Sequence, residues 1–118
     1  MFDTYEVSVL LNRSVKTIVE IVKGKSAELA DQLHRAAISV TLNIAEGARS
    51  IGGNKLKHYA FAQGSANEVK ACVDLAETWG WLDDTREVRA LLDRQLALLW
   101  KLTHPRRDAR PSGASSPT

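Results

Sequence analysis

The chain has 118 residues, 44% of them hydrophobic and 25% charged, with a net charge of +2. That composition is that of one ordinary globular domain, and the charge is too small in itself to imply a nucleic-acid partner. No apolar run approaches the ~20 residues of a membrane helix, and the start Met1-Phe2-Asp3-Thr4-Tyr5-Glu6 lacks the basic and apolar regions of a signal peptide, so a cytoplasmic protein with no membrane partner is expected.

Four helical patterns follow in chain order. The first covers about 5–23, where Val7, Leu11, Val15, Ile18 and Val22 recur at spacings of three and four, with Gly24 as a left-handed stop. The second covers about 27–48. Ser26 is its N-cap, Glu28 favours the dipole, and Leu29, Leu33, Ala37, Val40 and Ile44 form the apolar face. Ala36, Ala45 and Ala48 keep this helix slender.

The third covers about 55–79, with Asn54 as cap. Its seam is Tyr59, Ala62, Ala66, Val69, Val73 and Ala76, widened by Leu56, Ala60, Cys72, Leu75 and Trp79, and Gly80 ends it. The fourth covers about 85–103. Asp84 and Glu87 read as a capping box, and Val88, Leu91, Leu92, Leu96, Leu99 and Leu102 form the buried side. Pro105 stops it. Residues 105–118 hold no large apolar side chain and read as a disordered tail. Its Arg106, Arg107 and Arg110 against Asp108 match the whole net excess of charge.

Short links between four helices make neighbours antiparallel, so the expected fold over residues 1–104 is all-α, an up-down-up-down four-helix bundle. Cys72 is the only cysteine. It cannot form an internal disulfide and is expected to pack as a small hydrophobe.

Catalytic patterns are missing. Gly47-Ala48-Arg49-Ser50-Ile51-Gly52-Gly53-Asn54-Lys55 is no phosphate loop, because its lysine is displaced, no Ser or Thr follows, and no strand precedes it. His34, His58 and His104 have no metal-ligand spacing, so no metal or other cofactor is expected. Gly64-Ser65-Ala66 lacks the flanking glycine of a nucleophile elbow. Gly64 and Ser65 are instead expected to admit a neighbouring helix closely.

Polar residues on the slender faces are the more informative feature. Arg35, Asn43, Glu46 and Arg49 on the second helix, with Ser65 and Glu68 on the third, form a candidate structural polar network. In it Asn43 bonds Ser65, and Arg49 pairs Glu46 or Glu68. Trp79, Trp81 and Trp100 either plug the core or anchor another subunit.

The segment Arg35-Ala36-Ala37-Ile38-Ser39-Val40-Thr41-Leu42-Asn43-Ile44-Ala45-Glu46-Gly47 resembles the second-helix signature of the four-helix-bundle proteins first found encoded in intervening sequences of bacterial 23S rRNA genes. Ala62-Gln63-Gly64-Ser65-Ala66-Asn67-Glu68 resembles that family's third-helix signature, and Trp79-Gly80-Trp81-Leu82 its aromatic helix end. The likeness spans about residues 5–103. Thr41-Leu42 stands where the family often has Pro-Ser, so a straighter second helix is expected here.

The resemblance implies a homopentameric ring and no enzymatic activity. A related group, the Avd accessory proteins of diversity-generating retroelements, binds a reverse transcriptase and nucleic acid through a basic surface. By that analogy Arg13, Lys16, Lys23, Lys25, Lys55 and Lys57 are candidate contacts to RNA or DNA, and a reverse-transcriptase-type protein is a candidate partner. The combined expectation is a non-catalytic oligomeric scaffold or accessory protein. The alternative is a protein–protein interaction module with no nucleic-acid role.

Overall fold

The computed structural model describes residues 2–105. The tail expected beyond Pro105 lies outside the described residues. Four helices are present and no strand occurs among the described residues: α1 Thr4–Lys23, α2 Ala27–Arg49, α3 Gly52–Thr78 and α4 Arg86–Thr103.

Helix α1 starts one residue before the expected Tyr5, on a capping box formed by Asp3 and Glu6. Asp3 accepts a hydrogen bond from the Glu6 amide at 2.8 Å, and Glu6 accepts one from the Asp3 amide at 3.0 Å, satisfying two orphan donors. Gly24 does end α1, but without a left-handed turn. Its φ is −74°, and the amides of Lys25 and Ser26 both bond to the Val22 carbonyl at 2.8 Å before extended Ser26 breaks the helix. Ser26 then caps α2 by accepting from the Leu29 amide at 3.1 Å, as the sequence indicates. α2 runs uninterrupted to Arg49.

Asn54 is not the cap of α3. That helix begins at Gly52, whose φ of +63° turns the chain, and Ile51 at the cap position offers no side-chain hydrogen bond. Its C-terminus is a Schellman motif. Gly80 at φ +78° lets Trp81 N–H reach the Ala76 carbonyl and Gly80 N–H reach that of Glu77, both at 2.9 Å.

The Asp84–Glu87 box expected at α4 does not form. Asp84 turns its carboxylate onto Arg86, accepting from the backbone amide at 3.1 Å and from the guanidinium at 3.0 Å through each oxygen. Those bonds pull its carboxyl down to about 2. The residue at the cap position is Thr85. Its hydroxyl is occupied elsewhere, donating to Glu77 at 3.3 Å and accepting from Arg89 at 3.0 Å.

The core draws on all four helices. Leu11, Leu33, Val40, Val69, Val73, Leu92 and Leu99 are almost wholly shielded from solvent. Each of α1 and α3 packs against both α2 and α4. Cross-helix hydrogen bonds join Ser8 to Thr41, Asn12 to Ala37, Ser39 to Ser65, and Gln63 to Thr103. The expected seams of α1 and α3 are buried throughout. Leu56, Leu75 and Trp79 do not widen that of α3, since they stay 42%, 49% and 67% exposed.

One buried side chain breaks the apolar pattern. Gln95 on α4 is fully buried; its amide nitrogen donates to the Thr4 carbonyl at 3.2 Å, and its Oε1 has no partner among the described residues. A buried acceptor without a donor costs about 1–3 kcal/mol, while the single bond returns about 1 kcal/mol. Gln95→Met, similar in volume, should therefore raise stability by about 1 kcal/mol in urea melts. A loss of stability would show that the amide is properly satisfied.

Candidate functional site

Two polar seams tie α2 to its neighbours. On the α3 side, the Asn43 amide donates to the Ser39 carbonyl and hydroxyl, both at 3.0 Å. The Ser39 and Ser65 hydroxyls bond each other at 2.8 Å, and His58 Nδ1 lies 3.3 Å from Asn43 Oδ1. The expected Asn43–Ser65 bond is thus replaced by a relay through Ser39. Ser39, one turn before Asn43, makes the bond across to α3.

Around this seam the expected residues part company. Arg49 pairs with Glu46, one of the two partners expected, and both side chains are largely exposed. Glu68 is exposed and does not meet Arg49. Its nearby charge, after burial itself, pushes the Cys72 thiol upward. Cys72 is only 5% exposed and packs in the core. Arg35 points to solvent and pairs with Asp31 at 3.3 Å, outside the seam.

The seam between α1 and α2 was not anticipated. Asn12 donates to the carbonyls of Ser8 at 3.1 Å and Ala37 at 2.8 Å, and to the Thr41 hydroxyl at 3.0 Å. Thr41 in turn donates to Ser8 at 2.9 Å. Ser8, Asn12 and Thr41 sit at positions that an apolar-periodicity reading passes over. Only the facing of α1 on α2 makes them one cluster.

A third cluster fastens α3 to α4. Arg89 donates to Asp74 at 2.8 Å and to Glu77 at 2.6 Å. Hydrogen bonding to Arg89, the leading cause, lowers the Asp74 carboxyl below the usual carboxylate range, and the same bond to Asp74 raises the arginine. A depressed carboxylate stabilises the fold above its unfolded value and loses that contribution as pH falls through the folded one. Arg89→Met should accordingly flatten the fall in melting temperature between about pH 5 and pH 2. An acid limb as steep as that of the unsubstituted chain would exclude Asp74 as its source.

The six basic candidates do not converge. Lys16 and Lys23 line the α1–α2 groove, Lys25 lies in the turn after α1, and Arg13 lines the opposite, α4-facing side of α1. Lys55 and Lys57 lie past the other end of α2, about 34 Å from Lys25 along a helix of 23 residues at ~1.5 Å per residue, while Lys16 sits beside the middle of α2. Lys55 is also engaged. Its ammonium donates to the Gly47 carbonyl at 2.9 Å and lies 5.5 Å from the Tyr59 ring centre. Lys57 sits 6.0 Å over the ring of half-exposed Phe61, with His58 edge-on at 6.1 Å.

The tryptophans separate as well. Trp81 packs against the core at the α3–α4 turn, with exposed Trp79 stacked on it at 5.8 Å. Trp100 lies near the other end of α4, 54% exposed and stacked on His104 at 4.2 Å. Their nearness in sequence reflects one turn and one helix length, and not a common patch.

A row of exposed apolar side chains lies elsewhere. Tyr5, Val9, Asn12 and Lys16 recur along one face of α1 at helical spacing, beside Ile38 and Leu42 of α2. Tyr5, Val9, Ile38 and Leu42 are each 40–62% exposed. The adjoining groove, about 350 Å³ in volume, is walled by Val19, His34 and Ile38. No helix among the described residues is long and apolar enough to cross a membrane.

These features define a class: an all-α, four-helix protein with an apolar side face and polar seams between its helices. The chain belongs to the 23S rRNA-intervening sequence protein family, whose model matches residues 2–101. Comparison with curated proteins and with solved structures returned no match.

Proposed function

We propose that the four helices form an antiparallel up-down-up-down bundle that works as a non-catalytic scaffold in the cytoplasm, assembling with further copies of itself through the α1–α2 face. The observation that carries this reading is the exposed row of Tyr5, Val9, Ile38 and Leu42. Large apolar side chains grouped on one face gain about 25 cal/mol for each Å² removed from water, and such a patch marks an interaction surface. Charges of both signs, Lys16 and Glu20 on α1 with Asp31 and Arg35 on α2, border it and supply a polar rim. A ring of five is the closed arrangement that the family resemblance suggests. Heterologous contacts that close produce such rings.

Light scattering on the purified chain tests the assembly. The expected mass is a multiple of 13.0 kDa, falling to that value in the double variant Val9→Asp/Leu42→Asp. Both positions are exposed, so helical content should survive. A wild-type mass of 13.0 kDa would overturn the reading.

A second reading, contact with single-stranded RNA or DNA, is favoured by one observation: Phe61 exposed between Lys57 and His58. An exposed ring offers base stacking worth about 1–3 kcal/mol, and the lysine supplies a phosphate contact. An accessory role beside a reverse transcriptase belongs to this reading. Fluorescence anisotropy with a uridine tract should show affinity falling as salt rises from about 50 to 200 mM, and Phe61→Ala should weaken it. Binding indifferent to both would remove nucleic acid from the account and leave the protein-interaction module.

A further inference from the structure

Between α1 and the α3–α4 turn lies a groove of about 290 Å³ that the scaffold reading does not use. Its floor is the buried Ile18, Leu82 and Val88, and Trp81 forms one wall, backed by the stacked Trp79. Asp83 and Glu87 stand on the rim. The charge of neighbouring Asp84 is already taken by Arg86, whereas Asp83 makes no ion pair among the described residues and Glu87 only accepts from the Ser14 hydroxyl at 3.4 Å. An apolar floor, an indole wall and two unneutralised carboxylates suit a planar cation. A guanidinium can lie on the ring and donate to carboxylates at its edge. A second groove of about 440 Å³ continues along the α1–α4 seam and shares Ser14, Thr17 and Glu87. Arg13 lines that far part, so the negative end is confined to the turn.

The chain itself holds the complementary charge. After Pro105 come Arg106, Arg107, Asp108, Ala109, Arg110 and Pro111. We infer that the Trp81 groove docks the Arg106–Arg107 segment of a second copy of this chain. Length favours a second copy over the chain's own tail. Glu87 and Thr103 lie at opposite ends of α4, about 24 Å apart at ~1.5 Å per residue. The stretch from Thr103 to Arg107 covers at most about 14 Å. The backbone at Arg107 therefore stops about 10 Å short of Glu87 in its own chain, whereas a second copy can lay both arginines along the whole groove. The contact joins the start of one α4 to the end of another, a head-to-tail arrangement distinct from the α1–α2 face.

The test supplies the tail in trans, so it stands whether or not the α1–α2 face assembles. The receptor is the full chain carrying Arg106→Ser/Arg107→Ser/Arg110→Ser, whose own tail no longer competes. Titration with a peptide of residues 104–118 should change tryptophan fluorescence saturably, with a dissociation constant of about 100 μM that weakens as salt rises. Adding Asp83→Asn/Glu87→Gln to the receptor should weaken it about tenfold. Both side chains are exposed, so circular dichroism should show an unchanged fold. No response up to about 1 mM peptide, an equal response from the Asp83/Glu87 receptor, or an equal response to a peptide with serine for arginine would each overturn the assignment.

Discussion

Leu33→Ala should lower unfolding stability by about 2–5 kcal/mol, the largest effect of any single truncation considered for this chain. Leu33 lies in α2, is fully shielded, and belongs to the cluster that joins all four helices. Removing its isobutyl group forfeits the transfer energy of the lost atoms and leaves a cavity. Helices held on both flanks cannot easily collapse into it. For a domain of this size the melting temperature should drop by roughly 10–20 °C. The neighbouring Leu42→Ala is the control: 62% exposed on the same helix, it should move stability by at most about 0.5 kcal/mol. Equal losses at both positions would mean that Leu42 is buried in the assembled protein, and the mass measurement separates that case.

Gly47→Ala is the second large effect, and its sign runs against helix propensity. Gly47 lies within α2, where alanine normally stabilises by about 1 kcal/mol. A β-carbon there would stand 2.7 Å from Tyr59 Cε1 and 2.8 Å from Cδ1. The tyrosine is 8% exposed and sits in the core, so its ring cannot swing freely aside. Overpacking of this kind costs about 1–3 kcal/mol, so with the helix gain set against it the net loss should reach up to about 2 kcal/mol. The diagnostic measurement is a double-mutant cycle with Tyr59→Leu. In that background the ring is gone, and Gly47→Ala should become neutral or stabilising. A loss of the same size in both backgrounds would show that the glycine serves some need other than room for the ring. Gly64, expected from the sequence to admit a neighbour, has nothing within 4 Å of the equivalent position. The close approach between α2 and α3 is made at Gly47.

Helix number, helix extent and most of the buried face were legible because they are local. An apolar residue every three or four positions states which side of a helix must leave water. Val7, Leu11, Val15, Ile18 and Val22 are all buried as that rule requires. Ser26 caps α2 and Gly80 ends α3 for reasons contained within a few residues of chain. The Asp3–Glu6 capping box is equally local, and it lies just ahead of the start that apolar periodicity marks at Tyr5.

Long-range pairing was not legible. Thr85 spends its hydroxyl on Glu77 and Arg89, residues that only the α3–α4 packing brings near, so the cap expected from Asp84 and Glu87 gave way. The choice of Ser39 over Asn43 as partner of Ser65 depends on a separation between helices that no spacing encodes. The same holds for the six basic residues, which scatter along the molecule, and for Trp100, which lies a helix length from Trp81.

The sequence alone determined that this chain folds as four helices with one apolar side each, because periodicity and capping act over a few residues. Tertiary structure alone decided which polar groups meet, which glycine is crowded and which apolar side chains remain uncovered. Those outcomes depend on distances between helices, and distance between helices is set by the packing of the whole core.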